Sequence, residues 1–268
     1  MTLGGKGGAK LKQRRLGGLA VTVAGTEDLL ELMASDVGEN RTGRLGRPRV
    51  VTDINGEAVS LYARSEDYRA AYDRADVWHA DGAFIVALSR LLPGPTIPER
   101  TATTDYIHAA AKAAQDDGIS FYLLGGPEDI NSACAAELIR RYPRLRIAGR
   151  HHGYFRDDEL DAIAADINSS GADVVWLGLG KPRETMTAVL LRDRLDCAWI
   201  VTCGGCFHFV AGDYKRAPIW MQKAGLEWLH RMLTGPRYLI KRYAVTIPHA
   251  LYLVLRSALF EAPRQSGP

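Results

Sequence analysis

Apolar residues in this chain come in short runs closed by glycine or aspartate, and the runs alternate with stretches of helical period. Asp173-Val174-Val175-Trp176-Leu177 is such a run, bounded by Gly171 and Gly178, and reads as a strand buried on both faces. It enters Gly178-Leu179-Gly180-Lys181-Pro182, and a helical pattern follows over 184–194. Ile119 to Leu124 repeats the scheme, with Gly125-Gly126 and a helix to Tyr142. Ala198 to Thr202 repeats it again, running into Gly204-Gly205. Arg49 to Asn55 predicts a strand, followed by one helix over 57–74 with Val59, Tyr62, Ala63 and Ala70 on its inner side. Val77 to Ala80 is a further strand, ending at Asp81-Gly82 before a helix from Ala83. Thr26 suits a helix N-cap, with Glu27 and Asp28 in the first turn, and Thr103-Thr104-Asp105 caps a helix to Asp117. Arg146 to Gly149 reads as a strand and 157–169 as a helix. Strand–helix alternation at this rhythm predicts an α/β fold, a Rossmann-like, mainly parallel sheet with helices on both faces.

The chemistry follows from where the glycines fall. A glycine-rich turn between a buried strand and a helix lets backbone N–H groups approach an anion, and a helix N-terminus favours negative charge. Three such strand ends, at 125–126, 178–180 and 204–205, would line one edge of the sheet, where a nucleotide diphosphate could sit. An ordinary strand-to-helix connection is the competing reading, and Pro182 suits a first helical turn in either case. Asp81 falls where a parallel strand ends, a position at which a carboxylate could act as general base. Aspartate is also a good N-cap, and spacing alone favours that role. The chain has no GxGxxG and no GxxxxGK[ST], which disfavours a dinucleotide fingerprint and a P-loop. No Asp-x-Asp stands out as a clamp for a metal-bound nucleotide, so no obligatory metal is expected.

Composition changes the picture only at the ends. Hydrophobic residues make up 47% of the 268 residues, enough for a substantial core. The net charge of +3 is unevenly spread: residues 1–17 hold five Lys/Arg and no acid, and residues 231–268 carry a net +5, which leaves the body at −7. Basic ends on an acidic body suggest an anionic partner, with nucleic acid and anionic lipid both admitted by charge. No nucleic-acid motif is present and aromatic residues are not interleaved with the N-terminal charge, so nucleic acid is disfavoured. Residues 1–18 read as a disordered basic tail, 19–224 as the α/β core and 225–268 as a helical appendage. Ile247 to Leu255 is apolar but too short, and too broken by Pro248 and His249, to span a bilayer. With Lys241, Arg242 and Arg256 around it, the segment fits either a helix lying on a membrane surface or a helix docked on the core. The N-terminus lacks an apolar signal segment, so a reducing cytoplasm and free thiols are expected for Cys134, Cys197, Cys203 and Cys206. Cys203 and Cys206 have CxxC spacing without a second pair, which favours small residues packing at a strand end over zinc or redox chemistry.

One ordered set of landmarks goes further. Asn55, Asp81-Gly82, Arg100 with Asp105, Leu124-Gly125-Gly126, Tyr142-Pro143 and Gly153-Tyr154-Phe155 come first. Gly178-Leu179-Gly180-Lys181-Pro182-x-Glu184, Gly204-Gly205-x-Phe207, Arg216-Ala217-Pro218, Gly225-Leu226-Glu227-Trp228-Leu229-x-Arg231 and Pro236-Arg237 follow. In this order they resemble the WecG/TagA/CpsF family of bacterial glycosyltransferases, from about Val50 to Tyr243. The resemblance implies an inverting, metal-independent hexosyl- or N-acetylhexosaminyl-transferase without cofactor. It would move a sugar from a UDP-sugar to a polyprenyl-diphosphate-linked sugar, inside the cell and peripheral on the inner face of the cytoplasmic membrane. By the same resemblance Asp81 would be the general base, Asn55 would place the substrates and Arg100 would stabilise diphosphate charge. The donor would meet Asp53, Gly125, Gly126, Gly178, Gly180, Lys181, Arg183, Glu184, Gly204 and Gly205, and the acceptor diphosphate would meet Arg231, Arg237 and Lys241. Three positions depart from the family pattern: Asp53 replaces a frequent Thr, Arg183 a Gln, and Phe207-His208 a Phe-Asp. They leave the donor sugar open, and Arg183 could supply charge that a metal supplies elsewhere. A homo-oligomer that hides the C-terminal segment is a further expectation. A non-catalytic nucleotide-sugar or polyprenyl-phosphate binding protein is the alternative; Asp81 and Arg100 argue against it, since a binding module needs no base.

Overall fold

The computed structural model describes residues 11–260. A hairpin of β1 (Gln13–Leu16) and β2 (Leu19–Thr22) opens the chain and is antiparallel. Then come α1 (Thr26–Arg41), β3 (Arg49–Ile54), α2 (Gly56–Arg64), α3 (Glu66–Asp73), β4 (Val77–Ala80), α4 (Ala83–Leu91) and α5 (Thr103–Asp117). The second half runs β5 (Ser120–Gly125), α6 (Glu128–Arg141), β6 (Arg146–His151), α7 (Leu160–Ser170), β7 (Val174–Gly178), α8 (Arg183–Arg192) and β8 (Trp199–Thr202). It closes with α9 (Cys206–Val210), α10 (Ile219–Lys223), α11 (Glu227–Thr234) and α12 (Tyr238–Phe260).

Six strands form one parallel sheet in the order β4-β3-β8-β7-β5-β6, as the alternating pattern predicts. Successive side chains of a strand face opposite sides, so the apolar runs supply two cores. Ile54, Tyr122, Leu124, Val175, Leu177 and Ile200 pack on one face with residues of α2, α3, α7 and α8. Val51, Phe121, Leu123, Trp176, Trp199 and Val201 pack on the other with α1, α5 and α6. The C-terminal ends of β4, β3, β8 and β7 therefore open side by side on one edge, where an open parallel sheet places its crevice.

Several expectations shift in detail. Disorder through residue 18 does not hold for residues 11–18: β1 pairs with β2, Leu16 and Leu19 are buried, and Tyr72 Oη donates to Ala20 O. The first ten residues of that basic tail lie outside the described residues. The helix over 57–74 is two helices, because Ser65 is extended and its Oγ accepts from the Tyr68 N–H to start α3. Tyr68, Ala71 and Tyr72 turn inward there, and Ala63 and Ala70 face out. At α1 the N-cap is Gly25, whose N–H donates to Asp28, so Thr26 lies inside the helix.

The appendage docks on the core. Helix α12 lies along α2 and buries Leu239, Thr246, Ala250 and Val254. His249 Nδ1 and Ser60 Oγ are bonded at 2.9 Å, Arg242 pairs with Glu57 at 3.1 Å, and the Gly17 N–H donates to Ser257 Oγ. The opposite face of α12 leaves Ile240, Val245, Leu251, Tyr252 and Leu255 exposed. No helix among the described residues is long and apolar enough to cross a membrane.

Candidate active site

Two strand ends carry the carboxylates. β3 ends at Asp53 and Ile54, with Asn55 as the N-cap of α2. Asn55 Oδ1 accepts from the N–H groups of Glu57 and Ala58, which fixes the amide's orientation. Its Nδ2 then faces Asp53 Oδ2 at 2.7 Å and Asp81 Oδ2 at 3.5 Å. A cap therefore sets the group that joins the two strand ends.

Asp81 is not a cap. Gly82 occupies the N-cap of α4, and the Asp81 and Gly82 N–H groups both donate to Ile54 O. The carboxylate is 23% exposed and faces the Arg100 Nη2 at 3.4 Å. Arg100 is anchored from the same direction, its Nε donating to Asp81 O at 2.5 Å. Burial would push the Asp81 carboxyl up, but Arg100, with Lys181 and Arg231 behind it, outweighs burial and holds it below the usual range. Asp81 is thus ionised at neutral pH. His79 beneath it is buried, and its Nδ1–H donates to Thr101 O; burial pushes that ring down, so it is neutral.

The glycine-rich ends are organised by a buried triad. Lys181 Nζ lies 2.5 Å from Asp53 Oδ1 and 3.5 Å from Glu184 Oε1, with all three side chains at most 5% exposed. Glu184 Oε2 also accepts from the Gly180 N–H at 3.1 Å and the Gly204 N–H at 2.7 Å. Burial and then Asp53 push Glu184 up, against Lys181 and the Gly204 N–H, to about 7. Burial would lower Lys181, but Asp53 and Glu184 hold it well above its ordinary value. The consequence for anion binding is direct: the Gly180 and Gly204 N–H groups predicted to meet a phosphate are already bonded to Glu184.

These parts surround a cavity of about 480 Å³. Of the residues expected there, it is lined by Asp53, Asn55, Asp81, Arg100, Gly178, Gly180, Lys181, Glu184, Gly204, Gly205 and Arg231. Five others lie elsewhere. Gly125 makes a close approach, since a Cβ there would fall 2.3 Å from Gly178 O, and Gly126 packs toward Phe207. Arg183 donates to Gly153 O and Phe155 O and lies over the Phe155 ring at 4.5 Å, so its charge is spent on the 153–155 loop. That loop places Tyr154, 74% exposed, at the cavity wall. Arg237 and Lys241 are exposed on the outside of the appendage.

Sequence reasoning missed several lining groups. Arg242, Tyr243, Thr246, Ile247 and Leu251 of α12 form part of the wall, which makes the appendage a component of the cavity. The sequence leaves Arg242 open between a membrane-surface helix and a docked one, because helical period does not say which face docks. Glu227 lies in a recognised motif but carries no chemistry on its own; in the fold its carboxylate meets Arg100 at 2.8 Å and Arg216 at 2.9 Å. His208, one of the departures, bonds Asp213 at 2.7 Å and stacks on Tyr214 at 4.5 Å. Arg231 lies over Phe209 at 5.0 Å and, among the described residues, forms no ion pair. It is the cavity cation with the least competition for an anion. No group of three or more His, Cys, Asp or Glu placed to hold a metal ion occurs among the described residues. Cys203 and Cys206 line the cavity as buried free thiols whose ionisation burial suppresses.

The model of the glycosyl transferase WecG/TagA/CpsF family matches residues 14–264, nearly the whole chain.

Proposed function

The chain belongs to the WecG/TagA/CpsF family of glycosyl transferases, which serve cell-surface polysaccharide synthesis, and from this premise we propose a specific reaction for it. It moves a hexosyl or N-acetylhexosaminyl group, with inversion, from a UDP-sugar to a hydroxyl of a polyprenyl-diphosphate-linked sugar. The observation that carries this reading is Asp81: an ionised carboxylate at a strand end, partly exposed to the cavity and flanked by an asparagine and an arginine. Asp81 takes the proton of the acceptor hydroxyl as its oxygen bonds to the anomeric carbon. The bond from that carbon to UDP breaks, and UDP leaves with the electron pair. Negative charge growing on the leaving diphosphate needs fixed positive groups. Arg100 in the cavity wall supplies that charge and Arg231, in the same wall, is left for the acceptor diphosphate, so no metal is required in this scheme.

The acceptor's lipid places the protein at the inner face of the cytoplasmic membrane. Support comes from the surface of α10 and α11, where Ile219, Trp220 and Leu233 are 70%, 65% and 72% exposed. Exposed Lys215, Lys223, Arg237 and Lys241 lie in the same segment. Apolar and aromatic residues beside basic ones suit a surface that rests in the headgroup region.

The test is UDP release from a panel of UDP-sugars with a polyprenyl-diphosphate-sugar analogue and EDTA present. Acceptor-dependent release supports the reading and identifies the donor. UDP binding without release from any donor favours a binding protein, and absence of UDP binding overturns the donor assignment.

A further inference from the structure

Five charges of alternating sign run from the surface to the candidate base. Asp105 at the start of α5 meets Arg216 at 2.6 Å. Arg216 meets Glu227 Oε1 at 2.9 Å, Glu227 Oε2 meets Arg100 Nη1 at 2.8 Å, and Arg100 reaches Asp81. Glu227 is the centre of this chain and its most buried member, 8% exposed, at the first position of α11. One carboxylate of the appendage thus holds two guanidinium groups, one of them the group that faces Asp81. Arg100 has its Nε on Asp81 O and its Nη1 on Glu227, so its Nη2 is left directed at the Asp81 carboxylate at a long 3.4 Å.

We infer that Glu227 is a positioning residue, through which the appendage fixes Arg100 and keeps it from closing fully on the Asp81 carboxylate. The inference rests on the assignment of Asp81 and Arg100 made above. Its physics is charge balance. With Glu227 in place, Arg100 divides its attraction between two acids, and the Asp81 oxygens keep only long contacts, 3.4 Å to Arg100 and 3.5 Å to Asn55, which leaves them open to the acceptor proton. Without that charge, Arg100 and Arg216 lose a common partner buried from solvent, where such a loss is felt strongly. Arg100 then leans on the one acid left to it. A carboxylate held more tightly by a cation is a weaker base, so the proton-transfer step slows. The same change leaves Arg100 less neutralised, so binding of an anionic diphosphate does not weaken. The base also reaches working geometry only when α11 is seated, which ties turnover to a docked appendage.

The experiment is a double-mutant cycle on the full chain with Glu227→Gln and Arg100→Lys, reading kcat, donor KM, UDP affinity by calorimetry, and Tm. We expect Glu227→Gln to lower kcat about tenfold or more, with UDP affinity unchanged or tighter, and to add little in the Arg100→Lys background. Glu227→Asp, which keeps the charge, should recover part of kcat. A lowered Tm with kcat intact would mean that Glu227 is only structural and would overturn the inference. Additive effects of the two substitutions would overturn it as well, since Glu227 would then not act through Arg100. Asp81→Asn is measured alongside. If that variant keeps its turnover, the base assignment falls while the cycle still judges the Glu227–Arg100 link.

Discussion

At Asp81 a carboxylate is held ionised by cations, and this predicts how it responds to substitution and pH. Asp81→Asn should reduce turnover by about 10²-fold or more, with UDP binding by calorimetry intact; unchanged turnover would remove Asp81 as the base. Since Arg100 and its neighbours hold the Asp81 carboxyl below the usual carboxylate range, turnover should not lose its base until the pH falls below that range. Glu184 behaves oppositely. Its folded value of about 7 lies above its ordinary 4.5, so the folded protein binds that proton more tightly than the unfolded chain does. The stability it contributes is complete below 4.5 and is lost as pH rises through about 7. Thermal unfolding of Glu184→Gln should lack that decline, and an identical slope in both proteins would show that Glu184 does not titrate there.

The elements decide which of these residues meet. Asn55 was legible as the end of a strand and, by resemblance, as a site residue, while its role as the N-cap of α2 is shown by the structure. That the same amide joins Asp53 to Asp81 depends on β3 and β4 being neighbours, which no local pattern states. Asp81 shows the reverse. Spacing favoured a cap, but Gly82 takes that place, so the carboxylate is left for the cavity. The glycine-rich ends were legible as strand ends open to an anion, but that Glu184 takes the Gly180 and Gly204 N–H groups was not, because Gly204 is distant from Glu184 in sequence. Arg183 is placed with the donor only by its position in the family's Lys-Pro-x-Glu run, and the fold turns it to the 153–155 loop. Arg183→Ala should therefore cost about 1–3 kcal/mol of stability, the loss of charge-assisted bonds to two carbonyls. Denaturant unfolding measures this, and a change below about 0.5 kcal/mol would mean that the clamp carries nothing.

For the molecule as a whole, the appendage is where docking and surface compete. Helix α12 buries one side on α2 and leaves the other side apolar. If that outer side meets lipid, Ile240→Ser, Tyr252→Ser and Leu255→Ser together should reduce sedimentation with anionic vesicles, and salt should weaken what remains. Full binding by the triple variant would assign the outer side to another role. Local order was written in the chain itself. Apolar runs, glycine punctuation and caps determined the six strands of the parallel sheet, most helices and the parallel α/β class, though not the β1–β2 hairpin, because those signals act over a few residues and are set by backbone sterics and burial. The ordered landmarks also determined the family. Tertiary structure alone decided the rest: that Glu184 closes the glycine-rich ends, that Glu227 joins Arg100 to the appendage, and that α12 walls the cavity. Each depends on pairs far apart in sequence, and the charge of a buried residue acquires its meaning only from the partner that packing brings to it.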